Sequence, residues 1–514
     1  MKIDKLHIRS RFKNLENVKV DFDENNLMTV IVGRNGSGKS NVLEAIVSIF
    51  RNLDLGEPPP FSYRIAYTLG EGDEAKNIEV DADPLRVTLA KQYQIVQHIR
   101  FNSELVSKGV FEELRGISIS KVKRDKKTGE APYLPKYFFS YYSGPSDRLE
   151  KYFETHRTAF YKKLLKSEID LKGDIRPFFY AKPYHSQFVL LAFFMDEKNQ
   201  KEKAFLREHL GITGLDSVHF VMRKPDWTRS KDRNELFWGA AGVVRDFLNT
   251  LYPHALAPIK ITRKENVSLT GSNIQNEFFH LFLKDLSALR EFAKGLQPDV
   301  FFKMLESTLL SEIISEVNVR VKVESLDEPL TFRELSEGEQ QLLTVLGLLK
   351  FTGGQDSLFL LDEPDTHLNP AWAVKYLKFL REFVPNHKTS HLLMVTHHPL
   401  SIAELERGQV QVMLRDGRKV SANAPQESPR GMGVNLILRS NMFGMKTTLD
   451  GITEDKIQRR NELASQEKIS RREAEELGKL NNALDELGFN LSSDDPDYMD
   501  YLVRKYHSKS VEVA

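Results

Sequence analysis

Eight consecutive residues, Gly33-Arg34-Asn35-Gly36-Ser37-Gly38-Lys39-Ser40, constrain this chain more than any other feature. They fit the spacing G-x-x-x-x-G-K-[ST] and stand between a short apolar run and a helical pattern. Residues 27–32 read as a buried strand. From Asn41 onward Val42, Ala45, Ile46 and Ile49 share one helical stripe, which Gly56 and the prolines 58–60 end. A strand, a glycine-rich turn and a helix in direct succession let several backbone N–H groups and the positive helix end point at one anion. Lys39 is then expected to reach the β and γ phosphates of a nucleotide and Ser40 to ligate Mg²⁺, with Arg34, Asn35, Gly36, Ser37, Gly38 and Asn41 around them. A chance match in a chain this long is about one in fifty.

A second block lies some three hundred residues further on. The apolar run 358–361 ends in Asp362-Glu363, which would bring one carboxylate to the Mg²⁺ shell and the other towards an attacking water, since metal and general base need adjacent but different positions. Acidic pairs also open ordinary loops, and only the phosphate loop turns this one into a site. Upstream, Leu335-Ser336-Glu337-Gly338-Glu339-Gln340 opens a helix carrying Leu342, Leu343, Leu346 and Leu349; Ser336 with Glu339 makes a capping box. Downstream, the run 392–395 ends in Thr396-His397-His398-Pro399.

Four motifs in this order resemble the ATP-binding-cassette ATPases. The resemblance implies ATP and Mg²⁺ as ligands, Glu363 as general base and His397 at the γ-phosphate. It also implies that Ser336, Gly338 and Glu339 of one subunit close on the nucleotide held by another, giving a homodimer or higher homo-oligomer. Asn35, Asn41 and Glu44, with Asp362-Glu363-Pro364-Asp365-Thr366-His367-Leu368-Asn369-Pro370, are similar to the branch containing RecF, the structural-maintenance proteins and the old-lysogenisation-defect nucleases. The interval between Gly33 and Ser336 shows no heptad run, so a globular insert is expected in place of a coiled coil. Residues 137–150, YFFSYYSGPSDRLE, and the charged tail resemble the PtuA-type ATPases of Septu and retron anti-phage systems, which implies a separate HNH nuclease of the PtuB type as partner. A RecF-like DNA clamp without a nuclease is the alternative. No Toprim pattern follows Pro399, so no nuclease activity of its own is expected. In two places the chain departs from the cassette pattern: no glutamine follows Tyr142, where Ser143, Gly144, Ser146 and Asp147 stand, and the third signature residue is Glu337. Gln94, Gln97 and Gln187 remain open as replacements.

The expected fold class is α/β: an ATPase head with a β-rich first lobe (1–148), an inserted helical lobe (149–325), a second head lobe (326–440) and a charged helical tail (441–514). Within the first lobe Ile78, Val80, Val87 and Leu89 have strand spacing, and residues 126–129 suggest a hairpin tip. One tail helix over 453–488, with Leu477, Leu480, Leu484 and Leu487 at three-four spacing, is expected to dock a partner. Lys+Arg (73) nearly balances Asp+Glu (72), which excludes a uniformly cationic surface. Local DNA contact is left to Lys121, Lys123, Arg124, Lys126 and Lys127, or to Arg229, Lys231 and Arg233, although most such runs are solvated tips. The absence of cysteine excludes disulfides and thiolate metal sites. With no secretory pattern and no apolar run longer than residues 188–195, a cytoplasmic protein without a membrane partner is expected.

Overall fold

The computed structural model describes residues 1–99, 113–169, 176–198, 200–229, 235–266, 273–466 and 469–487. Its centre is a seven-stranded sheet in the order Lys419–Asn423, Val410–Asp416, Met28–Gly33, Ser390–Val395, Ser357–Asp362, Tyr137–Tyr142, Phe178–Tyr180. All neighbours are parallel except the outermost pair, Val410–Asp416 with Lys419–Asn423. Strands covered on both faces must be apolar throughout, and Met28–Gly33, Ser357–Asp362 and Ser390–Val395 are buried at every position. The register sets Asp362 beside both Val395 and Tyr142. The phosphate loop, the acidic pair, the Thr396-His397 corner and the residues after Tyr142 therefore leave the sheet along one rim, its carboxyl ends.

One face of this sheet is covered by the helix Lys39–Leu55, which is itself roofed by a six-stranded antiparallel sheet built from Lys2–Ile8, Val18–Asp21, Tyr63–Leu69, Lys76–Ala82, Tyr93–Ile99 and Glu113–Ile117. Val42, Ile46 and Phe50 share a core with Ile65 and Tyr67 above and with Leu358, Leu360 and Val395 below. Ile78 and Val80 lie on a strand of that roof as expected, but Val87 is 90% exposed in a turn and Leu89 opens a short helix. Turn chemistry outweighs alternation there, because the Asp83 carboxylate accepts the Leu85 N–H at 3.0 Å and Pro84 cannot donate to a ladder. Residues 126–129 do turn, with Asp125 accepting the N–H groups of Lys127 and Thr128, yet they follow the helix Ile119–Val122 and cap no hairpin. Arg124, counted above in a basic edge, is held by Asp54 at 2.8 Å. Of the second basic cluster, Lys231 and Arg233 lie outside the described residues.

On the other face pack the helices His185–Met195, Pro298–Leu310, Glu337–Thr352 and Pro370–Phe383, in one continuous core with the insert. The insert is less helical than expected. It contains an antiparallel sheet of Leu256–Asn266, Asn273–Leu283, Ile212–Arg223 and Ile314–Val323, completed by Leu330–Thr331. Phe178–Tyr180 joins the central sheet instead. Helix density in the sequence obscured a period-two run, Val317, Val319 and Val321, whose buried side chains face that core.

The tail is two helices, Gly451–Ala464 and Arg471–Glu486, and not one. Ser470 and Glu473 form a second capping box, with the Ser470 N–H donating to Glu473 at 2.8 Å, and this restarts the helix. The two helices pair through Arg459 and Glu476 at 2.8 Å, with Leu463 and Leu484 buried. Gly488 lies outside the described residues.

Phe139 gives a measure of how the centre is held. It is fully buried, stacked on Phe359 at 5.2 Å and edge-on to Phe179 at 6.1 Å. Phe139→Ala is expected to destabilise the protein by about 3–5 kcal/mol in denaturant unfolding. A loss under about 1 kcal/mol would mean that the neighbouring rings close the space.

Candidate nucleotide site

The phosphate loop depends on backbone angles that side chains disfavour. Gly33 has φ +142°, and a Cβ there would meet the Met413 carbonyl oxygen at 2.3 Å; Gly38, at φ +99°, would strike Leu15 at 2.8 Å. Lys39 folds back under the loop, donating to the Gly33 carbonyl at 2.9 Å and the Arg34 carbonyl at 3.2 Å. Burial lowers the proton affinity of its ammonium, while Glu363 and Asp362 oppose the shift. Arg34 points away and donates to the carbonyls of Phe443 and Gly444, which ties the loop to the start of the tail. Asn35 is exposed, Gly36 receives Arg415 at 3.3 Å, and Ser37 is buried with its hydroxyl unpartnered. Asn41 donates to Asn14 at 2.6 Å, and Asn14 in turn donates to the Gly36 carbonyl at 3.2 Å. Asn14 has no motif around it and escaped the sequence reading.

Ser40 donates to one carboxylate oxygen of Asp362 at 2.8 Å. Burial pushes the Asp362 carboxyl up to about 6, with the Ser40 hydrogen bond opposing it. Its other oxygen is buried and has no hydrogen-bond partner. A hydroxyl and a buried carboxylate with an unsatisfied oxygen are hard oxygen donors of the kind Mg²⁺ takes, and a cation would relieve the cost of that orphan. The residues present therefore fit the metal that the motif implies.

Next in the chain, Glu363 holds a left-handed backbone, φ +53°, of the strained kind found at functional corners. Its N–H donates to the Val395 carbonyl at 2.8 Å, and its carboxylate lies 3.3 Å from His397 Nδ1. The hydrogen bond between them holds the Glu363 carboxyl below the usual range and raises the proton affinity of His397. Beneath this pair, Thr396 donates to both oxygens of the buried Asp365, at 2.9 and 2.7 Å, so the corner after Glu363 is pinned to the corner before His397. Asp365 was visible only as the fourth letter of D-E-P-D.

Ser336 caps Glu337–Thr352 as its motif implies: its N–H donates to Glu339 at 2.7 Å, and the Glu339 N–H returns to its hydroxyl at 3.3 Å. The first turn of that helix presses on the acidic corner. A Cβ on Gly338 would lie 2.5 Å from the His367 carbonyl oxygen, and Gln341 accepts the His367 N–H at 3.2 Å while donating to the Glu363 carbonyl at 3.4 Å. Among the described residues no hydrogen bond or ion pair joins Ser336, Gly338 or Glu339 to residues 33–41. After Tyr142, the Ser143 N–H donates to the Asp362 carbonyl at 3.3 Å, and the Ser143 hydroxyl lies 3.2 Å from that of Thr366. Gln94 and Gln97 belong to the roof sheet and Gln187 to the helix His185–Met195.

A phosphate loop at the carboxyl edge of a parallel sheet, beside a Ser–Asp pair and a Glu–His pair, defines a phosphate-loop ATPase of the AAA/ABC type. The chain belongs to the family described as "AAA domain, putative AbiEii toxin, Type IV TA system", which matches residues 28–403. It is similar to the Septu protein PtuA of Bacillus mycoides (strain KBAB4), 26% identical over 267 residues, which are 48% of this chain and 37% of that protein. The chain thus spans little more than a third of that relative's length. Among solved structures, the SMC head domain from Thermotoga maritima is 12% identical, with 82% of this chain and 99% of that one covered at a TM-score of 0.33. An Smc head with an extended coiled coil, bound to the C-terminal domain of ScpA derived from Pyrococcus furiosus, is 14% identical, with 82% and 96% covered and a TM-score of 0.33. No helix among the described residues is long and apolar enough to cross a membrane.

Proposed function

We propose that this ATPase binds ATP between two heads and hydrolyses it slowly, and that the nucleotide state assembles and regulates a separate HNH nuclease in defence against phage. The observation that carries the reading is the division of labour at the rim. Lys39, Ser40, Asp362, Glu363 and His397 converge in one chain, whereas the capped helix start at Ser336 and Gly338 makes no bond to that chain's own phosphate loop. A capped helix N-terminus that bonds to no residue of its own phosphate loop suits the γ-phosphate of another copy. Two equal sites would then form an isologous interface. Bound Mg²⁺ would be held by Ser40 and Asp362 and would neutralise phosphate charge. Glu363, kept ionised by His397, is placed to accept a proton from water. The defence role and the nuclease partner rest on similarity to the Septu protein PtuA and on the 137–150 segment.

The test is co-expression with a PtuB-type HNH nuclease, followed by size-exclusion chromatography with and without ATP and by plaque counts. A complex whose size responds to ATP, and protection lost in Lys39→Ala, support the reading. Heads that never associate with the nuclease would leave a RecF-like clamp.

The tail supplies a sharper form of this test. Leu484 is buried within the helix pair and is not available to a partner, but Ile452 (71% exposed) and Leu487 (59%) are. Truncation from Asp450, which keeps Phe443 and Gly444 on Arg34, is expected to leave a soluble, ATP-binding head that elutes without its nuclease. Co-elution of the truncated head would place docking elsewhere.

A further inference from the structure

The loop that follows Tyr142 holds no glutamine, but it ends in an arginine with an unusual set of partners. Arg148 Nη2 donates to the Asn41 side-chain oxygen at 2.7 Å and lies 3.5 Å from Glu44, while its guanidinium stands 5.8 Å from the centre of the Tyr142 ring. Ser40, Asn41 and Glu44 occupy the first turns of the phosphate-loop helix, with Ser40 and Glu44 four residues apart on one side. Arg148 therefore grips the helix beside the residue that bonds Asp362. At its other end the loop is fixed to the acidic strand by the Ser143 bonds to Asp362 and Thr366. Six residues are thus strapped between the two elements that supply the Ser40–Asp362 pair.

We propose that Arg148 is a positioning residue for ATP hydrolysis: held by Asn41 and Glu44, it locks the 143–148 loop as one wall of the Ser40–Asp362 site. The inference rests on the ATPase reading of the site. A guanidinium suits the task because its delocalised plane stands over the Tyr142 ring while Nη2 serves the amide and the carboxylate, and an ammonium does not stack in that way. Glu44 is fully buried, but Lys13, Lys151 at 3.6 Å and the Tyr152 hydroxyl at 2.9 Å also serve it. Removing Arg148 therefore leaves that carboxylate paired and the helix folded.

The experiment compares the full-length wild type, Arg148→Ala and Arg148→Lys in steady-state Mg·ATP turnover and in binding of a fluorescent ATP analogue. The Ala variant is also assayed with added guanidinium ion. Expected are a kcat lowered at least about tenfold in both variants, with KM and analogue affinity within about threefold, since a loosened wall costs alignment more than binding. Guanidinium should restore part of the Arg148→Ala rate and leave the wild type and Arg148→Lys unmoved. Unchanged kcat overturns the proposal, as does a loss of rate that guanidinium does not rescue or that analogue binding shares in full. A wild type that binds the analogue but turns over no ATP would overturn the hydrolytic reading itself, and this inference with it.

Discussion

Lys39→Ala is expected to abolish ATP binding, weakening it by at least about a hundredfold, whereas Glu363→Gln is expected to keep ATP and lose about 10²- to 10⁴-fold in hydrolysis. The two variants separate because the two side chains act on different parts of the nucleotide. Lys39 is held under the loop by the carbonyls of Gly33 and Arg34, so its ammonium already lies inside the phosphate cradle. Losing it removes both the charge and two of the bonds that shape the loop. Glu363 sits beyond Asp362 at the strand end, bonded to His397 and not to residues 33–41, so its amide should leave the cradle intact. Isothermal titration with ATP and a phosphate-release assay on the same preparations decide the matter. Wild-type hydrolysis by Glu363→Gln would exclude that residue as the base.

How far the sequence led differs between the rim and the insert, and the reason is physical. Phosphate-loop chemistry needs a fixed spacing along the chain, because one strand, one turn and one helix must follow directly. Residues 33–40 were therefore legible together with the strand before and the helix after them. The central strands were legible too, since burial on both faces leaves unbroken apolar runs such as 358–361 and 392–395. What the sequence could not show is pairing across large separations. Asn14 on Asn41, Arg148 on Glu44 and Thr396 on Asp365 are single polar residues whose partners are set by the fold. The insert is harder to read for another reason: among the described residues its helices cover more positions than its strands, and the alternation of Val317, Val319 and Val321 spans too few residues to change the overall pattern. The tail's four spaced leucines, 477 to 487, all lie after the Ser470–Glu473 capping box, so their spacing cannot reveal the break that the box makes.

Ser336→Arg is expected to leave the nucleotide affinity of an isolated head within about twofold of wild type and to eliminate ATP-dependent association of heads. The position has two roles that this variant separates. Within its own chain Ser336 is an N-cap, and loss of such a cap costs about 0.5–2 kcal/mol of local stability. That is too little to unfold a helix whose Leu342, Leu343, Leu346 and Leu349 are fully buried. Glu339 can still reach the residue 336 N–H, which preserves half of the box. Towards a second copy the helix start is exposed, and an arginine there would fill the space where a γ-phosphate is proposed to enter. Light scattering of Glu363→Gln heads, with and without Ser336→Arg, reads the association while hydrolysis is blocked. Equal ATP binding with no rise in mass is the expected result. If the double variant gained mass with ATP as readily as Glu363→Gln alone, the helix start at Ser336 would be a cap and nothing more, and the heads would have to meet through another surface.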